Sequence, residues 1–336
     1  MLYTMKFLYL SFILLFLVIL SCKKDKVTID PPVEEIVDIA LTDTSRVTLY
    51  PNFEKYLINK GIDPEKEPNG FVLYKFIKEI DSLQFEEPIS SSTSLKGIEG
   101  FTNLRYFKSE GLMVDTINFT RNTKLEHFEY LPYAHCMNCA SLKVLNFGKI
   151  ASVRDLKLEG SSVGSLDLTN FKMLRSISIY NNMGLKELDL SACELLEKVY
   201  IMEKVNVKLG IHPKLIELTS SYTADISHSP ALEKWNLGSV RASGVDVSHN
   251  PALRSLFISE IVSPTLDLTS CTKLESLTIY GHGDWKMDRL DLSKNTILQN
   301  CKLLGTNLKT ICISSQTEIN FTNWEKDSGA SYVKCN

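Results

Sequence analysis

The sequence predicts a right-handed solenoid, mainly β, in which parallel strands stack coil upon coil behind a pair of short N-terminal helices. Three observations predict it. Between Val245 and Leu303 one phrase recurs three times, as V-D-V-S-H-N-P-A-L-R-S-L-F-I, L-D-L-T-S-C-T-K-L-E-S-L-T-I and L-D-L-S-K-N-T-I-L-Q-N-C-K-L. Asp246, Asp267 and Asp291 hold the same place in each copy, 21 and then 24 residues apart, and a chain repeating at such a period builds one supersecondary unit many times. Second, a shorter apolar signature of the form L-x-x-L-x-L recurs at half that period. Third, the stretch before the repeats changes to helical spacing, as the end of a solenoid requires: its first coil would otherwise expose an apolar face.

Composition is consistent with this and narrows the function. The 336 residues are 44% hydrophobic and 23% charged, with a net charge of −3, so no basic stripe is present to collect nucleic-acid phosphates. Length does not count domains here, because a solenoid grows along one axis.

Residues 1–21 read as an address. Lys6 precedes an apolar run from Phe7 to Leu20, too short to span a bilayer comfortably, which ends in Ile19-Leu20-Ser21-Cys22. The run resembles a bacterial lipoprotein signal with its lipobox, which implies cleavage before Cys22 and a lipid on its sulfur. Residues 22–49 follow as a polar tether containing Pro31-Pro32. Residues 50–79 read as an N-terminal cap of two short helices. Phe53, Tyr56 and Leu57 mark the first, Gly61 stops it, and Leu73, Phe76, Ile77 and Ile80 mark the second.

Residues 80–313 are the repeats. They begin faintly at Ile80/Leu83/Phe85, Val114/Ile117/Phe119, Leu125/Phe128/Tyr130 and Leu142/Leu145/Phe147. From Val153/Leu156/Leu158 to Leu196/Val199/Ile201 the starts differ by 10 or 11 residues, so two half-repeats make one turn. Val207-Lys208-Leu209 and Ala224-Asp225-Ile226 arrive early, and the phase recovers at Leu232/Trp235/Leu237. In each triplet the last two apolar residues point to one face of a strand and the residue between them to the other. Roughly ten coils at about 4.8 Å each give a body about 45–50 Å long. Residues 314–336 close the far end as a C-terminal cap.

These motifs resemble bacterial leucine-rich repeat lipoproteins of the Bacteroidetes type, in the irregular 21-residue class. L-K-E-L-D-L-S-A-C-E-L-L (185–196) and M-D-R-L-D-L-S-K-N-T-I-L (287–298) carry the likeness. So do N-F-E-K-Y-L-I-N-K-G-I-D (52–63), S-L-K-G-I-E-G-F-T-N-L (94–104) and T-N-W-E-K-D-S-G-A-S-Y-V-K-C (322–335) at the ends. The resemblance implies a leucine-rich repeat solenoid and a binding role, and it is unspecific about the ligand. Lys23 and Lys24 stand where surface-exported relatives carry acidic residues, so the outer face and the periplasmic face of the envelope both stay open.

Four positions after the repeat aspartate runs a column of Phe171, Cys193, His212, Ser229, Asn250, Cys271 and Asn295. The family places Asn or Cys there to satisfy backbone groups of the turn, which makes Cys193 and Cys271 structural thiols and His212 a turn residue. The column favours the L-D-L half-repeats as the concave side. His135-Cys136-Met137-Asn138-Cys139 offers half a zinc site without a second pair, and no metal or cofactor is expected. Cys312, between Ile311 and Ile313, is expected to face outward and to bond Cys335 of the C-terminal segment, which folds over the last coil. An exported protein permits such a bridge.

Two sets of residues are candidates for binding. Asp167, Asp189, Asp225, Asp246, Asp267 and Asp291 form one column, each followed by Ser or Thr two residues on. It is either a consensus turn feature or a site for cations or a basic partner. On the alternate half-repeats Tyr180, Tyr200, Phe257 and Tyr280, with Asn236, project as an exposed row, and Trp285 interrupts a longer loop. Aromatic side chains outside a core are what sugar- and protein-binding surfaces use. No hydrolase, phosphate-loop, metalloprotease or dinucleotide motif is present. The function expected is that of a lipid-anchored, monomeric cell-envelope scaffold, non-catalytic, binding a protein ligand. The alternatives are glycan capture and a structural role stabilised by calcium.

Overall fold

Parallel pairing governs the architecture. The computed structural model describes residues 40–86, 94–131, 142–281, 287–315 and 321–335. It opens with a cap, in which β1 (Arg46–Thr48) pairs antiparallel with β2 (Phe71–Leu73) around α1 (Pro51–Asn59), followed by the single turn α2 (Tyr74–Ile77). Pro51 starts α1, where its missing N–H costs nothing, and Gly61 at φ +70° ends it. The buried Glu54 carboxylate accepts the backbone N–H groups of Asn69 at 2.5 Å and Gly70 at 2.8 Å, closing the loop beneath the helix. Ile80 lies outside α2, so the second cap helix is shorter than its apolar spacing predicts.

From there the strands alternate between two sides of a coil. They run β3 (Ser82–Phe85), β4 (Tyr106–Glu110), β5 (Thr116–Asn118), β6 (His127–Leu131), β7 (Val144–Asn146), β8 (Asp155–Glu159) and β9 (Ser176–Tyr180). Then come β10 (Glu187–Asp189), β11 (Lys198–Met202), β12 (Asn206–Lys208), β13 (Glu217–Ser220), β14 (Lys234–Ala242), β15 (Ser255–Ile261) and β16 (Ser276–Gly281). The last are β17 (Arg289–Asp291), β18 (Asn300–Leu304), β19 (Thr310–Ser314), β20 (Trp324–Lys326) and β21 (Ser331–Cys335). Twelve of them form one sheet in the order β20-β18-β16-β15-β14-β13-β11-β9-β8-β6-β4-β3. On the other side, among the described residues, the strands make only the pairs β5-β7 and β10-β12 and the triplet β17-β19-β21. The fold is a leucine-rich repeat solenoid of about eleven turns.

The continuous ladder belongs to the alternate half-repeats, while the L-D-L side pairs in twos and a three. The coil count exceeds ten because two strands are disguised: β4 reads Leu104/Phe107/Ser109 and β13 reads Leu215/Leu218/Ser220, with a buried serine where the third apolar residue belongs. At Ser220 the reason is visible. The neighbouring strand brings in Trp235, whose Nε1–H donates to the Ser220 hydroxyl at 3.4 Å, so a small polar residue provides both room and an acceptor.

The core is continuous. In its N-terminal half it is a stack of rings, Phe53–Phe85–Phe107–Phe128–Phe147–Phe171, with successive centroids 5.1–6.1 Å apart. On both sides of Phe171 its turn position is taken by polar or thiol side chains. Asn250 Nδ2 donates to the carbonyls of Ile226 (3.0 Å) and Ser229 (2.8 Å) in the preceding coil. Asn295 does the same to Leu268 and Cys271, and Asn122 to Ile98 and Phe101. Cys193 and Cys271 point their Sγ atoms at the equivalent carbonyls of Leu168 and Val247, and burial pushes both thiols up, Cys193 to about 11. Cys301, in the core, is pushed up to about 12. His212 bonds the Leu209 carbonyl, and burial lowers its pKa, so it is held neutral.

The far end departs from expectation in form. Residues 324–335 do not fold over the last coil; they make one more, with β20 parallel to β18 and β21 parallel to β19. Cys312 does bond Cys335, with Cα atoms 5.4 Å apart. Cys312 is nonetheless fully buried rather than outward-facing, because β21 covers it. Cys22 and His135–Cys139 lie outside the described residues. Among the described residues no helix is long and apolar enough to cross a membrane.

Two outcomes test this account. Asn250→Ala leaves two buried carbonyls without a donor and lowers the unfolding free energy by about 2–4 kcal/mol in urea titrations, whereas Asn250→Cys, copying Cys271, loses less than half of that. Reducing the Cys312–Cys335 bond, which closes a separation of 23 residues, removes about 3 kcal/mol of stabilisation from the last coil. Hydrogen exchange then accelerates in residues 321–335 and not in the cap, because each coil touches only its neighbours.

Candidate binding surface

A strand in this sheet buries alternate residues and presents the others outward, and the register aligns the outward residues into columns. The central column reads, strand by strand from β3, Gln84, Lys108, Glu129, Lys157, Ser178, Tyr200, Thr219, Asn236, Phe257, Thr278, Lys302 and Glu325. Charge is confined to its ends. Lys157 meets Glu129 at 3.3 Å and Lys302 meets Glu325 at 2.8 Å. The six strands between carry none, a window about 24 Å wide at the usual strand spacing. Beyond this column the ladder shifts register at β14 and β15, where Arg241 comes opposite Glu260; Tyr180, Met202 and Tyr280 face outward there, and Gly238 is buried, so close to Met202 that a Cβ on it would lie 3.3 Å from the Met202 methyl.

The aromatic candidates lie inside this window but do not form one row. Tyr180 and Tyr200 meet edge-on at 6.4 Å, and Phe257 and Tyr280 at 5.9 Å, with β13 and β14 between the two pairs. The tyrosines are 46%, 41% and 38% exposed in chain order, while Phe257 is half-buried. Asn236 is exposed between the pairs and Trp235 is buried beneath them. Trp285 lies outside the described residues. The window was missed in sequence because it is a property of register: its six positions are 17 to 22 residues apart in the chain, and none is unusual alone.

Charges bordering the window are neutralised. Glu217 lies between Lys234 at 2.8 Å and Lys198 at 3.9 Å, and the Lys234 bond holds its carboxyl below the usual range. Along the strand entrances Arg175 pairs with Glu197, and Arg254 with Glu275 at 2.5 Å. Between those pairs Ile216 is exposed. Such pairs add little stability, but they offset one another's charge beside the window.

The aspartate column has a different role. Asp167 Oδ1 accepts the backbone N–H of Thr169 at 2.9 Å and its hydroxyl at 2.7 Å. Asp189 with Ser191, Asp225 with Ser227 and Asp267 with Thr269 repeat both bonds, and Asp246 and Asp291 accept the N–H groups of Ser248 and Ser293 at 2.9 Å. Asn118 and Asn146 occupy the same position in earlier coils and accept from Thr120 and Gly148. An amide does the same work, so the carboxylates are turn caps whose bonds are local. Lys208 interrupts the column between Asp189 and Asp225 and pairs with Asp189 at 2.9 Å. Among the described residues no cluster of three or more His, Cys, Asp or Glu side chains is arranged to hold a metal ion.

The comparisons bear on fold. No protein-family model matches the chain, and no curated protein matches it. Among solved structures it is similar to an internalin, InlF of Listeria monocytogenes, with a TM-score of 0.51 and 16% identity over 84% of this chain and 94% of that one. The functional domain of InlJ from Listeria monocytogenes, which includes a cysteine ladder, matches with a TM-score of 0.45 and 16% identity, over 88% of this chain and 72% of that one. TLR13 in complex with ssRNA13 matches at 0.36 and 14%, over 72% and 45%. The last two superpose too loosely to carry an argument, and InlF supports the leucine-rich repeat solenoid alone.

The turn caps yield a pH dependence. Bonds from Ser191, Lys208 and the Ser191 N–H draw Asp189 down to about 2, and bonds from the following Ser or Thr hold Asp167, Asp225, Asp246 and Asp267 below their ordinary value. At Asp291 partial burial works against ionisation, yet bonds from Ser293 and Arg289 still lower it. A carboxyl whose folded pKa lies below its unfolded value of about 3.9 stabilises the fold above that pH and stops doing so as pH falls through the folded pKa. The column's contribution therefore disappears between about pH 4 and pH 2. Replacing Asp189, Asp225 and Asp246 together by Asn flattens the urea-midpoint curve across that interval with little loss at pH 7.

Proposed function

We propose that the chain is a lipid-anchored, non-catalytic binding scaffold of the cell envelope, in the manner of Bacteroidetes leucine-rich repeat lipoproteins of the 21-residue class, and that it takes a protein ligand. The observation carrying this reading is the uncharged window. It places exposed tyrosines, Phe257 and the flexible Met202 on a sheet whose backbone is paired on both sides. A preformed surface loses little freedom on binding, and exposed Tyr and Met are enriched where proteins meet. The anchor rests on the N-terminal apolar run and Cys22, and the envelope address on the same residues together with the Cys312–Cys335 bond. With a single lipid arm the membrane is a tether, and the ligand is sought beyond it by a monomer.

A glycan ligand has a specific observation in its favour: Thr219 and Asn236 supply a hydroxyl and an amide between the aromatic pairs, and Ser178 and Thr278 supply hydroxyls on the strands that flank them. Calcium stabilisation is less favoured, because the aspartate Oδ1 atoms already accept bonds within their own turns.

The deciding experiment is a binding screen of the protein against host and bacterial envelope proteins, in parallel with a glycan array, with and without calcium. A protein ligand that loses at least about tenfold in affinity on Tyr200→Ala, and is unchanged by Asp246→Asn, supports this reading. Binding confined to glycans replaces it with the second. A salt-steep interaction abolished by Asp246→Asn would move the site to the aspartate column.

A further inference from the structure

Two neighbouring coils carry the same turn on the L-D-L side, D-I-S-H-S-P-A-L (225–232) and D-V-S-H-N-P-A-L (246–253), 21 residues apart. In each, the residue after the histidine donates its backbone N–H across the turn, Ser229 to the Ile226 carbonyl at 3.0 Å and Asn250 to that of Val247 at 3.1 Å. The Asn250 side chain donates to the carbonyls of Ile226 and Ser229, which seats the second turn on the first. His249 therefore lies one coil beyond His228, about 4.8 Å at the usual strand spacing, and both histidines are exposed. The ladder has two rungs. The same position holds Asn170, Ala192 and Ile211 in the coils before and Ser270 and Lys294 in those after.

The bonds around the rings decide which nitrogen is available. The Ser227 hydroxyl donates to Asp225 Oδ1 at 2.7 Å, and the same oxygen lies 2.9 Å from His228 Nδ1. A hydroxyl has one hydrogen, so the hydrogen of the second contact sits on Nδ1, and the neutral ring keeps its lone pair on Nε2. His249 repeats the arrangement: its Nδ1 lies 3.0 Å from the Ser248 hydroxyl, which Asp246 engages in turn. Asp225 is held below its ordinary value first by Ser227 and then by the charges of His228 and His249, so one carboxylate senses both rings. We infer that His228 and His249 bind one divalent transition-metal ion through their Nε2 atoms and so clip two coils together. Imidazole suits such ions. A bonded Nδ1–H with a carboxylate behind it is what orients a metal-ligating histidine and raises its basicity. Two metal–nitrogen bonds of about 2.1 Å span up to about 4.2 Å, which exposed rings on adjacent coils reach by a small tilt. Among the described residues no third His, Cys, Asp or Glu side chain is arranged to join them, so water completes the ion's shell. The site lies on the L-D-L side, away from the uncharged window, and does not depend on the protein-ligand reading.

The test is a calorimetric titration of Ni2+ into the full chain in detergent, with thermal melts alongside. A saturable site for one Ni2+ is expected. Its affinity falls at least about tenfold on His228→Gln and equally on His249→Gln, since disturbing even a residue that supports a metal-bound histidine costs that much. Replacing both serines, Ser227→Ala with Ser248→Ala, weakens it by about tenfold through the lost support of Nδ1. His127→Gln, on the long sheet, leaves it within about twofold. Ni2+ raises the melting temperature of the parent chain and of neither histidine variant, and melts without metal check that each variant is folded. A parent chain with no saturable site overturns the inference. So does binding that survives either histidine variant, or that is indifferent to the paired serine variant. Binding lost on His135→Ala instead places the ion in the His135–Cys139 segment and overturns it as well.

Discussion

Every coil of this molecule must turn a corner into the long sheet, and that corner leaves carbonyls pointing inward with no strand to receive them. Satisfying them is the constraint on which the stack depends, since a buried carbonyl without a donor costs on the order of 1–3 kcal/mol. Asn122, Asn250 and Asn295 meet it by donating both amide hydrogens into the coil before, so the same bonds that close one corner also join two coils. Cys193 and Cys271 meet it with a thiol, a weaker donor. Where the core is aromatic, at Phe171, ring packing takes over the position. Apolar packing gives the solenoid its bulk, but this column sets the distance and register between coils.

The fold was legible because its signal is repeated. The L-D-L phrases, the half-period of 10 or 11 residues and the helical spacing around Phe53 each report a local rule, and each is seen many times. What escaped reading was local to one place. Ser109 and Ser220 hid two strands, because a buried serine beside a large neighbour such as Trp235 looks like a break in the pattern. Cys312 was placed outward by alternation, correctly for its own strand, but alternation cannot foresee that another coil will cover it. The aspartate column was conspicuous in sequence for the reason that makes it ordinary in space: it recurs because every turn needs a cap. The uncharged window had the opposite property. Ser178, Tyr200, Thr219, Asn236, Phe257 and Thr278 are unremarked residues until register sets them side by side.

The distribution of charge across the sheet supports this division. At both ends of the central column Lys and Glu alternate and pair, which keeps those strands solvated and discourages sheet-to-sheet contact between molecules. In the middle the pairing retreats to the strand entrances, at Arg175–Glu197 and Arg254–Glu275, and the surface between becomes one that water leaves more readily. On such a surface, contact with a ligand would draw on apolar and hydrogen-bonding groups more than on net charge.

The two ends of the stack are fastened differently from its body. At one end Glu54 locks the cap loop through three bonds to backbone N–H groups; at the other a covalent bridge holds the last coil. A linear array ordinarily loosens from its termini inward, like a column of coins tipped at the edge. With both termini held, that route is resisted at each end. The coil at Lys208–His212 departs from the body of the stack: its lysine stands where the capping aspartate belongs and reaches back to Asp189 of the preceding coil, and its Gly210 lies so close to Ser191 that a side chain there would be 2.7 Å from the Ser191 Cα. Tyr200 stands on the strand that leads into that turn, so a change at the joint would be carried to one edge of the uncharged window.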